Sequence, residues 1–251
     1  MDNTGKFTHK VVNYVKYRPS YPDAFIRYLF DEVGFSADAC VADIGAGTGI
    51  LTEPLAESVK TIYAIEPNRS MRLSCMNACG RNCSFVALDG TAEDTGLPDD
   101  SVDFVTVGQA FHWFDRHRAQ QEFARILKPD GLVVLVWNTR VPDAPAVVAL
   151  GDICRKHCPA FSGFSGGQET ALERFVPFFR DGICEARTFP NDRRLSKDAF
   201  VGSTLSSSYA PLPGHASFSP FVADLETLFD QYAENGQIVV PMCTLSYIGR
   251  I

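Results

Sequence analysis

Asp43, Gly45, Gly47 and Gly49 occupy alternate positions in the stretch VADIGAGTGI, and Glu66 follows 23 residues after Asp43. Glycine tolerates unusual dihedrals and close approach, so three of them behind an apolar run predict a tight turn after a strand, with a ligand against its backbone. Pyrophosphate is not the ligand expected. Dinucleotide enzymes carry a third glycine three positions after the second, where Ile50 stands, and no Gly-Lys-Ser/Thr follows to complete a phosphate loop. A carboxylate at Asp43 would repel pyrophosphate and suit an ammonium group or a backbone amide, so the ligand expected is zwitterionic or cationic. Glu66 ends the run IYAI at close to the interval at which an acid takes the hydroxyls of a nucleoside's ribose.

Other residues could act on a second substrate. His112 and Trp113 follow the fourth apolar run, at the edge where open sheets hold ligands. His112 could be a general base, its ordinary pKa being near neutral, or the pair could form a packed wall of the pocket. Tyr14, Tyr17, Arg18 and Tyr21 form an aromatic and basic cluster. It could close over the site and grip a carboxylate, or simply cover the sheet. Arg140, just past the fifth run, is a further cation for the substrate side. Cys75, Cys79 and Cys83 recur every four residues, and Cys154 and Cys158 repeat the interval. That spacing misses the three-then-two pattern of iron-sulfur radical enzymes, and no CxxC pair offers zinc a site, so reduced thiols and no metal are expected.

These residues need elements to hold them. Apolar, β-branched runs at 41–44, 61–65, 84–88, 102–107 and 132–137 read as strands buried on both faces. Helical patterns fall at 48–58, 70–78 and 116–127, the last stopped by KPDG at 128–131. Strand and helix in alternation predict an α/β fold with a doubly wound, mostly parallel sheet. A helix is expected over 23–30. The stretch after Trp137, including CPAFSGFSGGQ, reads as loop or inserted cap, with helices at 197–208 and 219–233. GICEARTFP at 182–190 and the segment 236–251 alternate as strands do, which would complete seven strands with an antiparallel one at the C-terminus. One domain over 1–251 is expected: a cofactor-binding core at 38–140, an N-terminal lid or arm at 1–37, and a partly inserted substrate-side region at 141–236.

A net charge of −7 lacks the positive footprint of a nucleic-acid binder. No apolar run approaches the roughly 18 residues of a membrane span, and residues 1–20 lack the apolar core of a signal peptide, so a cytoplasmic protein with no membrane partner is expected. Monomer and homodimer both remain open.

Taken in order, VADIGAGTG, IEPNRSM, GTAEDTGLPDDSVDFVTVGQAFHWF and LKPDGLVVLVW resemble the successive motifs of class I S-adenosylmethionine-dependent methyltransferases over about residues 38–140. KYRPSYP together with QAFHWF is similar to the small-molecule subgroup of trans-aconitate methyltransferase-like proteins. The resemblance implies a Rossmann-like methyltransferase fold, S-adenosyl-L-methionine as cofactor with S-adenosyl-L-homocysteine as product, and a small-molecule acceptor methylated on a carboxylate or hydroxyl. It lays Gly45, Ala46, Gly47 and Gly49 along the methionine part, with Asp43 fixing the loop and Glu66 taking both ribose hydroxyls. Pro67 and Met71 would pack near the adenine, Thr91, Ala92 and Glu93 would line its edge, and Gln109 completes the set. Many relatives carry aspartate where Thr91 stands, which passes the adenine amine to Glu93 or a backbone carbonyl. Residues 109–112 do not fit the Asn/Asp-Pro-Pro-aromatic pattern of nucleobase amino methyltransferases. Two other readings stay open: a non-catalytic protein that binds S-adenosylmethionine or S-adenosylhomocysteine, and a nicotinamide-dependent oxidoreductase, against which Ile50 argues.

Overall fold

The computed structural model describes residues 18–81, 84–164 and 175–251. Strands β1 (Cys40–Ile44), β2 (Thr61–Ile65), β3 (Phe85–Leu88), β4 (Val102–Gly108) and β5 (Leu127–Arg140) pair in parallel. Beyond β5 lie the antiparallel β9 (Met242–Gly249) and then β6 (Glu185–Pro190), giving the order β3-β2-β1-β4-β5-β9-β6. The doubly wound, mostly parallel seven-stranded sheet with an antiparallel C-terminal strand is therefore present. A separate antiparallel pair joins β7 (Arg193–Leu195) to β8 (Ile238–Val240).

The alternation along β5 shows why its apolar run is unbroken. Val133, Leu135 and Trp137 enter one core with Phe111, Phe123 and Ile126, while Val134 and Val136 enter the opposite core with Phe25, Leu29 and Leu55. A strand covered on both faces has no polar side to show.

Helix boundaries follow local chemistry. Helix α1 (Asp23–Tyr28) widens into a π turn over Leu29–Val33 and stops at Gly34, whose φ of 103° ends right-handed winding. Helix α2 spans only Thr52–Ala56, later and shorter than the expected 48–58. Gly47 and Gly49 hold φ values of 59° and 91°, which no right-handed helix can include. Helix α3 (Arg69–Cys79) begins at Asn68, whose side chain accepts from the N–H groups of Ser70 and Met71. Helix α4 (Arg116–Ile126) passes straight into β5, so Lys128–Gly131 is a register irregularity within a strand instead of a loop before it. Helix α5 (Pro145–His157) occupies a stretch expected to be loop or cap; proline sits in its first turn, and Val147, Leu150 and Cys154 share its buried face. Helices α6 (Lys197–Leu205) and α7 (Phe218–Tyr232) gather with α5 and the β7–β8 pair around a third core of Phe200, Phe221, Leu225 and Ile238. Residues 236–251 do not form one strand. Pro241, lacking an N–H, divides β8 in the small pair from β9 in the main sheet. No helix among the described residues is long and apolar enough to cross a membrane.

One polar hub ties the N-terminal segment to the sheet. Asn138 Nδ2 donates to the carbonyls of Pro19 and Ser20 at 3.3 and 3.2 Å. Its Oδ1 accepts from Asn191 Nδ2 at 3.0 Å and from the Thr244 hydroxyl. The chain from Arg18 onward is thereby held across the end of β5. Asn138→Ala would leave the buried Thr244 hydroxyl without its acceptor and the Pro19 carbonyl without its donor, and a loss of about 2–3 kcal/mol is expected in urea unfolding; a loss under about 0.5 kcal/mol would show that the hub does not anchor the segment.

Candidate active site

The carboxyl ends of β1 and β4 open onto a cleft walled by the loop after β1, by Gly108 and Gln109 after β4, and by Arg18, Pro19 and Tyr21 from the N-terminal segment. Parallel sheets place such crevices where neighbouring connections leave on opposite sides, and here that point is β1/β4.

Asp43 is the last polar residue of β1 and is 1% exposed. Its Oδ2 accepts from Thr52 Oγ1 at 2.6 Å and its Oδ1 from Thr106 Oγ1 at 2.9 Å. Burial pushes its pKa up to about 6, opposed by these two hydroxyls, with the nearby charge of Glu66 adding to the rise. Glu66, just past β2, is also buried. Its Oε2 accepts from the Gly47 N–H at 2.9 Å and its Oε1 from the Asn68 N–H at 2.8 Å. Burial raises its pKa while those two amides pull it down. Each carboxylate oxygen has two acceptor directions, so one on each oxygen of Glu66 is left for two further hydroxyl donors.

The glycine loop works differently from the expectation that all three glycines meet ligand. A Cβ on Gly45 would come within 2.6 Å of Ala110 Cβ, and one on Gly49 within 2.9 Å of Cys75 Sγ, so both make room for the protein itself. Gly49 does not line the cleft. Only at Gly47 would a Cβ stand in open space. Four of the loop's amides are also spoken for: Gly45 and Ala46 donate to the Ile65 carbonyl, Gly47 to Glu66 and Gly49 to the Ala46 carbonyl. A phosphate cradle needs such donors, so with these four engaged the loop is poorly equipped as one. Instead the cleft offers an acceptor-rich wall and one unsatisfied group, the buried Thr48 Oγ1.

Asp43, Gly45, Ala46, Gly47, Gln109, Arg18 and Tyr21 thus meet at one cleft, with Glu66 behind Gly47. Gln109 adopts φ 60°, strained for a residue with a side chain, and is held by its N–H to the Val136 carbonyl and its Nε2 to the Asn138 carbonyl. Gly108 lets Tyr21 lie over the end of β4, since a Cβ there would meet the Tyr21 hydroxyl at 2.6 Å. Further out, Pro67 is exposed and Met71 buried at the start of α3. Ala92 is buried in the core, and Glu93 Oε1 accepts from the Asp115 N–H at 2.9 Å, tying the segment after β3 to the start of α4. The Thr91 hydroxyl accepts from the Glu93 N–H. His112 and Trp113 form a short 3₁₀ turn at the end of β4 with rings 4.6 Å apart, and Trp113 is 50% exposed. Arg140 lies off the cleft, over the Phe164 ring. Cys75 and Cys79 sit together beneath Gly49, and the described cysteines form no disulfide. Tyr14, Tyr17 and Cys83 lie outside the described residues.

Sequence reasoning missed Thr48, Thr52, Thr106, Asn68 and Arg72. Asn68 was detectable, as an asparagine directly before a helical pattern. Arg72 follows it by one turn and donates to the Glu66 carbonyl while forking onto Asp89. Thr106 could not be read from spacing, because it meets Asp43 only through the β1–β4 register.

A family model described as a methyltransferase domain matches residues 42–135. The core of the chain is thus similar to methyltransferase domains over residues 42–135. The chain is similar to an uncharacterized methyltransferase of Mycobacterium tuberculosis, 43% identical over 152 residues that make up 61% of this chain and 60% of that one. It is also similar to an uncharacterized methyltransferase-like protein of Schizosaccharomyces pombe, 35% identical over 62% of this chain and 61% of that one. The match therefore spans about three fifths of the length of these curated relatives. Among solved structures, a candidate type II methyltransferase from Anaeromyxobacter dehalogenans superposes with a TM-score of 0.70 at 25% identity, over 93% of this chain and 98% of that one. These matches support the family and not the narrower trans-aconitate subgroup. The likeness to methyltransferases and the fold imply use of S-adenosylmethionine, and the site offers groups that fit it: a buried acceptor pair at Glu66, an anionic wall at Asp43 and the unsatisfied Thr48 hydroxyl.

The separate tasks of the glycines set an order of cost. Gly47→Ala, strained in φ alone, should lose about 1–2 kcal/mol in urea unfolding, and Gly49→Ala, strained and pressed on Cys75, about 3 kcal/mol or more. Equal losses would mean that the contact with Cys75 is not what excludes a side chain at 49.

Proposed function

We propose that the protein transfers a methyl group from S-adenosylmethionine to a small-molecule acceptor, on a carboxylate or hydroxyl oxygen. The observation that carries this reading is the pair of buried carboxylates, Asp43 and Glu66, standing at the ends of adjacent strands beside a glycine turn whose Gly45, Ala46, Gly47 and Gly49 amides are used internally. Such a wall rejects phosphates and accepts hydroxyls and positive charge. The bound cofactor supplies a methyl group already activated on a sulfonium.

The chain's own residues then have to bind, align and keep water out. Glu66 takes the ribose hydroxyls on its two remaining acceptor directions, and Gly47 gives the ligand a face without a side chain. Asp43 lowers the energy of positive charge in the cleft. Tyr21 and Arg18 cover it from the N-terminal segment, and Gln109 borders it from β4. Alignment of this kind can supply roughly 7–11 kcal/mol of a displacement barrier. Burial of the His112 imidazole lowers its pKa to about 4, so it is neutral at pH 7 and acts on a hydroxyl acceptor only as a weak base. A carboxylate acceptor needs no base.

Calorimetry with S-adenosylhomocysteine, paired with methyl transfer to a panel of small acids and alcohols, tests the reading. Glu66→Gln should weaken binding at least tenfold, while His112→Ala should keep binding and lose turnover on hydroxyl acceptors. Tight binding without transfer to any acceptor would favour a sensor, and binding of a nicotinamide dinucleotide instead would overturn the proposal.

Asp43 adds a pH signature. A bound cation favours its ionised form, so affinity for the sulfonium cofactor should fall as pH drops through about 6, by up to roughly tenfold between pH 7 and pH 5. The neutral thioether product should respond less. Asp43→Asn should flatten the profile, and an unchanged slope would show that another group titrates.

A further inference from the structure

Arg140 and Arg193 lie close to Arg18, which lines the cleft, and among the described residues no acid pairs with Arg140 or Arg193. Arg140 ends β5 and is paired in register with Met242, while Arg193 opens β7 and is paired with Val240, so the two flank the same short segment around Pro241. Arg18 reaches the spot from the cleft side, on a segment whose next two carbonyls are held by Asn138, two residues before Arg140. Arg140 lies 4.3 Å over the Phe164 ring, and its Nε is cut off from solvent with no acceptor among the described residues. Burial lowers the Arg193 pKa, and among the described residues the charges of Arg140 and Arg18 lower it further. Among the same residues, the groups that favour the Arg140 charge are the Tyr209 hydroxyl and the Cys154 thiol, both ordinarily neutral at pH 7. Asp192, adjacent in sequence, is turned to the Met242 N–H at 3.0 Å.

Burying a guanidinium without a partner is costly, and stacking on an aromatic ring offsets only part of that cost. A stacked guanidinium keeps its edge for a planar two-oxygen acceptor. We propose that Arg140 and Arg193 form an anion-gripping wall beside the cleft that selects an acceptor bearing a carboxylate. Phe164 and Tyr209 flank that wall and set a flat, partly apolar boundary for the rest of the acceptor. The identity of the ligand as methyl acceptor rests on the methyltransferase reading; the anion site itself does not.

Titration calorimetry on the full chain, with and without S-adenosylhomocysteine, would use succinate, citrate and phenylacetate, their neutral amides, and inorganic phosphate. At least one acid should bind, and its amide should bind at least tenfold more weakly. Arg193→Met and Arg140→Met should each weaken that acid at least tenfold and leave S-adenosylhomocysteine affinity within twofold. Because Arg193 faces the like charges of Arg140 and Arg18, Arg193→Met should also melt higher than the parent without ligand, which a structural arginine would not do. The proposal is overturned if no acid binds, if acid and amide bind alike, if phosphate outcompetes every acid, or if Arg193→Met keeps acid affinity. Acid binding that depends on Arg193 in a protein that ignores S-adenosylhomocysteine would keep the anion wall and sink the methyltransferase reading.

Discussion

Two carboxylates buried side by side, Asp43 and Glu66, are the constraint around which the cleft is arranged. Water is withheld from both and each disfavours the other's charge, so they persist there only because four donors are aimed at them. Thr52 and Thr106 serve Asp43; Gly47 and Asn68 serve Glu66. The donors come from α2, β4, the glycine loop and the start of α3. The site therefore exists only when the sheet order, the loop and both helix starts are in place together.

The same constraint explains the loop. Its Gly45, Ala46 and Gly47 amides are consumed in tying it to β2 and to Glu66, which leaves a turn with fewer donors to present. Loops of similar composition that cradle phosphates keep those amides for the ligand. The distinction lies in where each N–H points and not in the number of glycines. Two of the three glycines answer to internal packing, against Ala110 and Cys75, and only at Gly47 would a Cβ be uncrowded. On the far side, the Asn138 hub presses the segment from Arg18 to Tyr21 over the strand ends, so the cleft is walled from both the core and the N-terminal side.

Much of this was legible in the sequence because it is local. Unbroken β-branched runs marked strands covered on both faces, and the interval from Asp43 to Glu66 placed two acids at neighbouring strand ends. Contacts set by register were not legible: Thr106 reaches Asp43 across β1 and β4, and Arg193 reaches the neighbourhood of Arg140 only through the β7–β8 and β5–β9 pairings. Helix α5 carried its own signal in Pro145, Val147, Leu150 and Cys154, but the glycine and serine that follow it drew the whole stretch toward loop. The late start of α2 shows the limit of reading a helix from apolar spacing, since left-handed glycines inside the pattern delay it.

The central claim is that this acceptor-rich cleft holds an adenosyl ligand by its sugar. A crystal structure with S-adenosylhomocysteine tests it directly. The account requires both ribose hydroxyls within hydrogen-bond distance of the two Glu66 carboxylate oxygens, with the amino-acid end lying along Gly47 toward Asp43. Ligand bound elsewhere on the sheet, or a ribose turned away from Glu66, would contradict it.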